Sequence, residues 1–362
     1  MNNQKYVALD VDSANIVAGV YDSKGGLVIQ AHIRTNTKDI EQFFRGLNGR
    51  VHVTFEEGTQ AAWLYDVIRP LVAEVTVCDP RRNKLLKSGS KGDRIDVAKL
   101  ATLLRLGELH PVYHGEETIL GLKHLVHGYQ NLVVDTTRAM NRLKAIFRGR
   151  GIGCRGRRVY SKDERKELLN KLEIEGIKAR ANYLYEELDS LVKLRSEAEK
   201  IMCREARRHS AYKLIKQVPG LGPVRIAQII ATVGSPHRFR TKRQLWAMSG
   251  LAVVTRTSAD YEWINGRVRR RNKPPQTRGL NKNFNRTLKS VFKGAAMTAI
   301  HKDAHFKQRY QQLLDKGIRP EMARLTIARK IAAITLVLWK KGEKFDPKKM
   351  NQAAQCTGNP EN

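Results

Sequence analysis

Long apolar runs are missing from this chain. No stretch of its 362 residues is apolar for long enough to span a bilayer, and because the N-terminus is polar and leads straight into a strand pattern no signal peptide is expected. A membrane-embedded protein is therefore not expected. Cysteine is scarce too. Cys78, Cys154, Cys203 and Cys356 stand apart without a Cys-x-x-Cys pair, which speaks against a zinc site or a disulfide framework and for a reducing cytoplasm. Acidic residues are the third shortage: 35 Asp and Glu against 67 Lys and Arg leave a formal net charge of +32. Self-repulsion on that scale calls for a polyanion to screen it, and nucleic acid is the usual one. The length allows two or three domains, each with its own core.

Against that shortage, the places where acids do occur are informative. Tyr6-Val7-Ala8-Leu9-Asp10 reads as a buried strand and Ile16 to Tyr21 as a second. The turn from Asp12 to Asn15 is too short for a crossover, so the two should pair antiparallel. After the tight turn Asp22 to Gly26, a third strand from Leu27 to Ile33 completes a meander. Val51 to Glu56 is a fourth strand, a helix follows from about Gln60 to Val72, and Glu74 to Cys78 is a fifth strand. Three strands and then helix-strand alternation match an α/β ribonuclease H-like fold, whereas a Rossmann fold needs a helix after its first strand.

Lys91-Gly92-Asp93-Arg94-Ile95-Asp96 then runs into the apolar pattern Leu100, Leu103, Leu104 and Leu106. Asp93 and Asp96 should lie one turn apart on one face at a helix start, where the helix dipole favours carboxylates. Read alone, this is a solvated first turn. With Asp10 ending the first strand and Glu56 ending the fourth, however, three separate segments bring four carboxylates towards one end of the sheet. That donor set suits a pair of hard divalent cations clamping a phosphodiester for in-line displacement. Ordinary strand-end acids are the alternative. Asp12 and Glu57 are near neighbours, and alternation lets only one member of each pair face the metals; Asp10 is preferred because it directly ends the apolar strand.

Beyond the connector His110 to His114, a long helix is expected from about Glu117 towards Arg148, ending in the basic break Arg148 to Gly153. The first domain boundary is drawn there, giving a domain 1–150. His114, His124 and His127 have no metal spacing with any acid and read as surface or packing residues. From Ser161 to about His209, leucines such as Leu168, Leu172, Leu184, Leu188 and Leu191 recur in a near-heptad rhythm. This segment, 151–210, should pair as a coiled coil between protomers or as a hairpin within one chain. Ser161-Lys162-Asp163-Glu164 reads as a capping box at its start.

The third region, 211–347, is expected to be mainly α-helical. It opens on Val218-Pro219-Gly220-Leu221-Gly222-Pro223-Val224-Arg225, a turn between apolar helices like that of a helix-hairpin-helix. Gly220 and Gly222 free backbone N–H groups for a DNA phosphate, with Arg225 beside them and a helix N-terminus behind. A helix from Thr241 to Met248 leads through Ser249-Gly250-Leu251 into an irregular stretch with Thr255, Thr257 and Ser258. Then come Tyr261 and Trp263 and the basic run Arg267, Arg269, Arg270, Arg271 and Lys273. This is a candidate nucleic-acid strip, with arginines on phosphates and rings on bases. Two further helices close the core, and the polar tail 348–362 reads as disordered.

The strand ending in Asp10, Phe55-Glu56-Glu57-Gly58, Asp93-Arg94-Ile95-Asp96, Pro219-Gly220-Leu221-Gly222-Pro223 and Arg278-Gly279-Leu280-Asn281 resemble, in that order, the transposases of the insertion sequence 110 family. The resemblance covers nearly the whole chain. It implies a RuvC-like DEDD domain in which Asp10, Glu56 (rather than Glu57), Asp93 and Asp96 bind magnesium, with manganese an alternative. It also implies a C-terminal transposase domain whose serine forms a covalent phosphoserine with DNA, and a noncoding RNA that bridges donor and target DNA. By position Ser258 is the matching serine and Ser249 the reserve; Ala259-Asp260 and a longer stretch to Pro275 depart from the compact basic turn of the family. The implied setting is a bacterial cytoplasm, on the nucleoid, as a dimer or tetramer, with Arg278 among the nucleic-acid contacts. A hydrolytic nuclease of the junction-resolvase type would use the same acids with water and no Ser258. A regulator that binds nucleic acid without cutting it is the other alternative.

Overall fold

The computed structural model describes residues 4–81, 92–114, 119–256, 261–264, 266–270 and 276–346. The chain divides into two compact units, Met1–Gly115 and Glu116–Asn362.

The first unit is built on a five-stranded sheet. β1 (Gln4–Val11), β2 (Asn15–Tyr21) and β3 (Leu27–Arg34) form the antiparallel meander, because their links are too short for anything else. A helix absent from the sequence reading follows, α1 (Thr37–Arg45). Asn36 caps it, accepting from the Asp39 N–H at 2.9 Å, and it buries Ile40 and Phe44. This helix makes the crossover that lays β4 (Arg50–Glu56) parallel to β1. Then α2 (Ala61–Ile68) carries the chain to β5 (Glu74–Cys78), parallel to β4. The strand order is β3-β2-β1-β4-β5.

Alternation divides the strands between two layers. Val7, Leu9, Ile16, Ala18, Val53 and Phe55 pack under Ile40, Phe44, Leu64 and Ile68. On the opposite face Ala8, Val17 and Cys78 meet Val97, Leu100 and Ala101 of α3 (Asp93–Leu106). The close approach of α3 depends on Gly19. A Cβ there would stand 2.6 Å from Val97 Cγ1, so only glycine lets the helix lie against β2.

In the second unit α4 (Leu120–Arg148), α5 (Arg165–Asn170) and α6 (Glu175–Arg208) come first. Ala139, Leu143, Ile146 and Phe147 of α4 share a core with Ala181, Leu184, Tyr185 and Leu188 of α6, so the leucine rhythm is satisfied within the chain. Ser161 to Glu164 is not a capping box: α5 starts at Arg165 without a side-chain cap, and the Glu164 carboxylate accepts from Arg158 Nε at 2.9 Å. Arg165, only 15% exposed, grips Asp189 with two bonds of 2.6 Å. That hydrogen bond holds the Asp189 carboxyl below the usual aspartate value of 3.8. A carboxylate lowered in this way stabilises the fold fully above that value and less as pH falls through its own. On going from about pH 6 to about pH 3 in thermal melts, Asp189→Asn is therefore expected to lose less midpoint than wild type.

The rest of the unit packs as one helical core. It contains α7 (Ala211–Ile215), α8 (Pro223–Val233) and α9 (Lys242–Met248), then α10 (Arg286–Lys302), α11 (Ala304–Asp315) and α12 (Pro320–Lys341). Between α9 and α10 the stretch expected to be irregular contains four strands, β6 (Val253–Arg256), β7 (Tyr261–Ile264), β8 (Arg267–Arg270) and β9 (Gln276–Leu280). β6 pairs antiparallel with β9, and β7 with β8, so one ladder lies within the other along the chain. Among the described residues no helix is long and apolar enough to cross a membrane. Cys78, Cys154 and Cys203 are buried and joined in no disulfide among the described residues.

Candidate active site

The register decides where the acids of the sheet point. Leu9 faces Phe55 across the parallel β1–β4 pair, so Asp10 and Glu56, next along, lie on one face at the C-terminal ends of adjacent strands. Glu56 is in turn opposite Cys78, which packs under α3. Asp10 and Glu56 therefore share the α3 face. Asp93 and Asp96 sit in the first turn of α3, and the next residue, Val97, is the one seated over Gly19. Asp93 is exposed and Asp96 half-buried.

The neighbours of these acids are used differently. Glu57 is bound to His114, Oε2 to Nε2 at 2.7 Å, and the His114 ring stacks on Tyr65 at 5.0 Å. His114 thus ties the end of the first unit to the residue beside Glu56, a role hidden from the sequence because the partners are 57 positions apart. Asp12 lines a cleft of about 370 Å³ with Ser13, Glu56, Thr59 and Gln60 at the mouth of the sheet.

In the second unit the two serine candidates part company. Ser249 is 0% exposed, and its hydroxyl donates to the Leu245 carbonyl at 2.6 Å. Ser258 lies outside the described residues, between β6 and β7. The root of the β-strand arm that contains it is pinned from three sides. Asn281 Nδ2 donates to Ala247 O at 3.1 Å, the Asn285 N–H to Met248 O at 2.7 Å, and Arg329 Nε to Leu251 O at 2.6 Å.

Known families resolve what these two halves are. An IS110-type DEDD transposase model matches residues 7–150, across the sheet and the acids. A second model, described as transposase of the IS116/IS110/IS902 family, matches residues 212–311, across the glycine turn and the arm. The chain belongs to the IS110 transposase family. No curated protein shows a significant match to it.

Membership makes this transposase an enzyme that acts on DNA, and its DEDD domain implies a divalent cation. The donors fit such an ion in chemistry, since all four are carboxylates, the ligands of hard cations. Among the described residues no group of three or more acidic, histidine or cysteine side chains is placed so that it could hold a metal ion. Asp10 and Glu56 share one face of the sheet by register, and Asp93 and Asp96 stand in the first turn of the helix that packs on that face.

The glycine turn of the transposase is held by packing. Gly220 adopts φ +84°, and a Cβ there would run into the Ala295 carbonyl of α10. Arg225, expected at a phosphate, donates Nη1 to Gly220 O at 2.6 Å and to Thr298 Oγ1 at 3.0 Å, closing the turn onto α10. Gly222 is different: its φ is −85° and its surroundings are open, at the start of α8. Gly220→Ala is therefore expected to cost about 2–5 kcal/mol through left-handed strain and overpacking, and Gly222→Ala less than about 1 kcal/mol. Denaturant melts of the two variants check this.

Of the basic strip, Arg267 and Arg269 are exposed on β8, which also contains Arg270. Arg271 and Lys273 fall outside the described residues, and Arg278 is on β9.

Proposed function

We propose that this transposase is guided by a structured noncoding RNA of its own element, which pairs with donor and target DNA, and that it exchanges strands through a phosphoserine at Ser258. Asp10, Glu56, Asp93 and Asp96 would hold magnesium, with manganese able to replace it. The reading is carried by one observation: both the half with the acids and the half with the serine match models of the same transposase family. The burial of Ser249 further favours Ser258.

In the proposed exchange Ser258 Oγ bonds to the scissile phosphorus while the bond from phosphorus to the leaving sugar oxygen breaks, and that oxygen ends with the serine proton. Attack by a sugar hydroxyl of the other DNA then breaks the Oγ–P bond and returns the proton. One phosphodiester replaces another, so no external energy source is needed. A serine hydroxyl is a weak nucleophile near neutral pH. A bound divalent cation supplies neutralisation of the phosphate charge and eases loss of the hydroxyl proton.

The functional division proposed is 1–150 for the metal domain, 151–210 for the helical segment, 211–347 for the transposase domain and 348–362 for the tail. Gly220, Gly222, Arg225, Arg267, Arg269, Arg270, Arg271, Lys273 and Arg278 are the proposed nucleic-acid contacts, with Gly220 and Arg225 acting by shaping the turn. On α6 the exposed Tyr183, Leu194 and Ile201 follow one line down the helix, a seam for a second copy in a dimer or tetramer. The setting is a bacterial cytoplasm, on the nucleoid.

A recombination assay in which the sequence of the RNA's target-pairing loop is changed tests guidance. The insertion site is expected to move to the DNA complementary to the new loop. Continued insertion at the old site by an unchanged protein contradicts guidance by RNA.

A further inference from the structure

The β7–β8 hairpin displays apolar side chains that no described residue of its own unit covers. Trp263 is 75% exposed, the most of any large apolar residue among those described, and Tyr261 is 63% exposed. Val268, directly opposite Trp263 in the register, is exposed as well. Tyr261 and Trp263 are two apart on one strand, so their side chains leave the same face from backbone positions about 6.4–6.8 Å apart. That is about twice the 3.4 Å rise between successive bases of a DNA strand. The gap therefore has room for one base stacked on both rings.

The other face of the ribbon has a different character. Arg267 and Arg269, both exposed, alternate with Val268 and so point away from the rings. From Tyr261 to Pro275 there are five cations and one acid, Glu262, which makes a polyanion the partner this ribbon attracts. Position along the chain adds the third element. Ser258 is three residues before Tyr261, and at about 3.5 Å per residue it can be no more than about 10 Å away.

We propose that the hairpin is a strand-separating wedge beside the cut. Tyr261 and Trp263 clasp one unpaired base of the cleaved DNA strand, and Arg267 and Arg269 on the opposite face meet the phosphates of the strand peeled away. The wedge rests on the transposase reading and adds a substrate preference to it: DNA opened at the cut site binds better than closed duplex.

The test uses the full chain with its element's noncoding RNA and three DNA probes of one sequence: a paired duplex, the same duplex with a short central bubble, and a single strand. A 2-aminopurine in the bubble reports stacking by quenching. Wild type is expected to prefer the bubble and to quench the probe. Trp263→Ala should lower bubble affinity about fivefold to a hundredfold and abolish quenching, leaving duplex affinity unchanged. Trp263→Phe should restore most of both. The Arg267→Ala, Arg269→Ala double variant should weaken binding to both forms and reduce the salt slope by about two. Both rings are outside the core, so melting temperatures should match wild type. Equal affinity of wild type for bubble and duplex, or equal loss from both in Trp263→Ala, overturns the wedge while leaving the transposase intact. A smaller oligomer for Trp263→Ala, or loss of binding to anionic vesicles with DNA binding unchanged, also overturns it by assigning the rings to a second copy or to lipid. Failure of wild type to bind any of the DNA probes overturns the transposase reading as well.

Discussion

Ser258→Ala is expected to abolish strand exchange, by about 10⁴-fold or more, and to leave DNA binding and folding unchanged. Loss of a covalent nucleophile removes the reaction route itself, and the clamps that remain give only a small residue of the rate. The control is Ser249→Ala. Its hydroxyl is buried and bonded to the carbonyls of Leu245 and Trp246, at 2.6 and 3.4 Å, so it has no path to a phosphate. The Leu245 carbonyl also accepts from the Ser249 N–H at 2.9 Å, so removing the hydroxyl leaves that acceptor satisfied. Ser249→Ala should cost about 1 kcal/mol of stability and keep near wild-type exchange. Single-turnover exchange on a cognate donor and target pair separates the two. Activity retained in Ser258→Ala removes it from the chemistry.

The second large effect is expected on the acids. Asp93→Asn, Asp96→Asn and Glu56→Gln should each reduce exchange by about 10²–10³-fold or more, since each deletes a charge from the set that would hold the cation. Asp93 is exposed and Asp96 half-buried at a helix start whose cap is Gly92, so neither replacement empties the core. The informative contrast is Glu57→Gln. Glu57 is already taken by His114 at 2.7 Å and stands one residue past the end of β4. Its loss should change exchange only a few-fold, by about 1 kcal/mol at most. Rates measured across a magnesium titration distinguish a weakened cation site, which added ion partly rescues, from an acid unrelated to the ion. A Glu57 variant as inactive as the Glu56 variant reverses the assignment of the two.

How much of this could be read from the residues varies with how strongly each segment is buried. The meander and the α3 start were legible because Tyr6 to Asp10 and Ile16 to Tyr21 bury both faces, and because Leu100 and Leu103 follow Asp96 at helical spacing. α1 is hard to read in the residues because it is nine long and buries only Ile40 and Phe44, too few for a period; the Asn36 cap is its visible signal. The arm reads as an irregular stretch because the described side chains of β7 and β8 are all exposed, so alternation yields no contrast of apolar against polar. Asn265-Gly266 between Tyr261-Glu262-Trp263-Ile264 and Arg267-Val268-Arg269-Arg270 is nonetheless a strong hairpin signal, and Gly266 does adopt φ +72°. The Gly220 contact with Ala295 and the Arg225 bond to Thr298 join residues far apart along the chain, and no local pattern encodes them. The coiled-coil reading of the leucine rhythm and the hairpin reading predict the same spacing. The choice needed the partner of the buried face, which is α4.

One measurement bears most directly on the proposed chemistry. The transposase is trapped on DNA in cells carrying the complete element with its noncoding flanks, the DNA and protein are digested, and the linked peptide is sequenced by mass spectrometry. A nucleotide phosphate on the peptide containing Ser258, absent from Asp93→Asn, is the expected result. DNA cut without any protein-linked nucleotide, abolished by Asp93→Asn and unaffected by Ser258→Ala, contradicts it and makes the enzyme a hydrolytic nuclease.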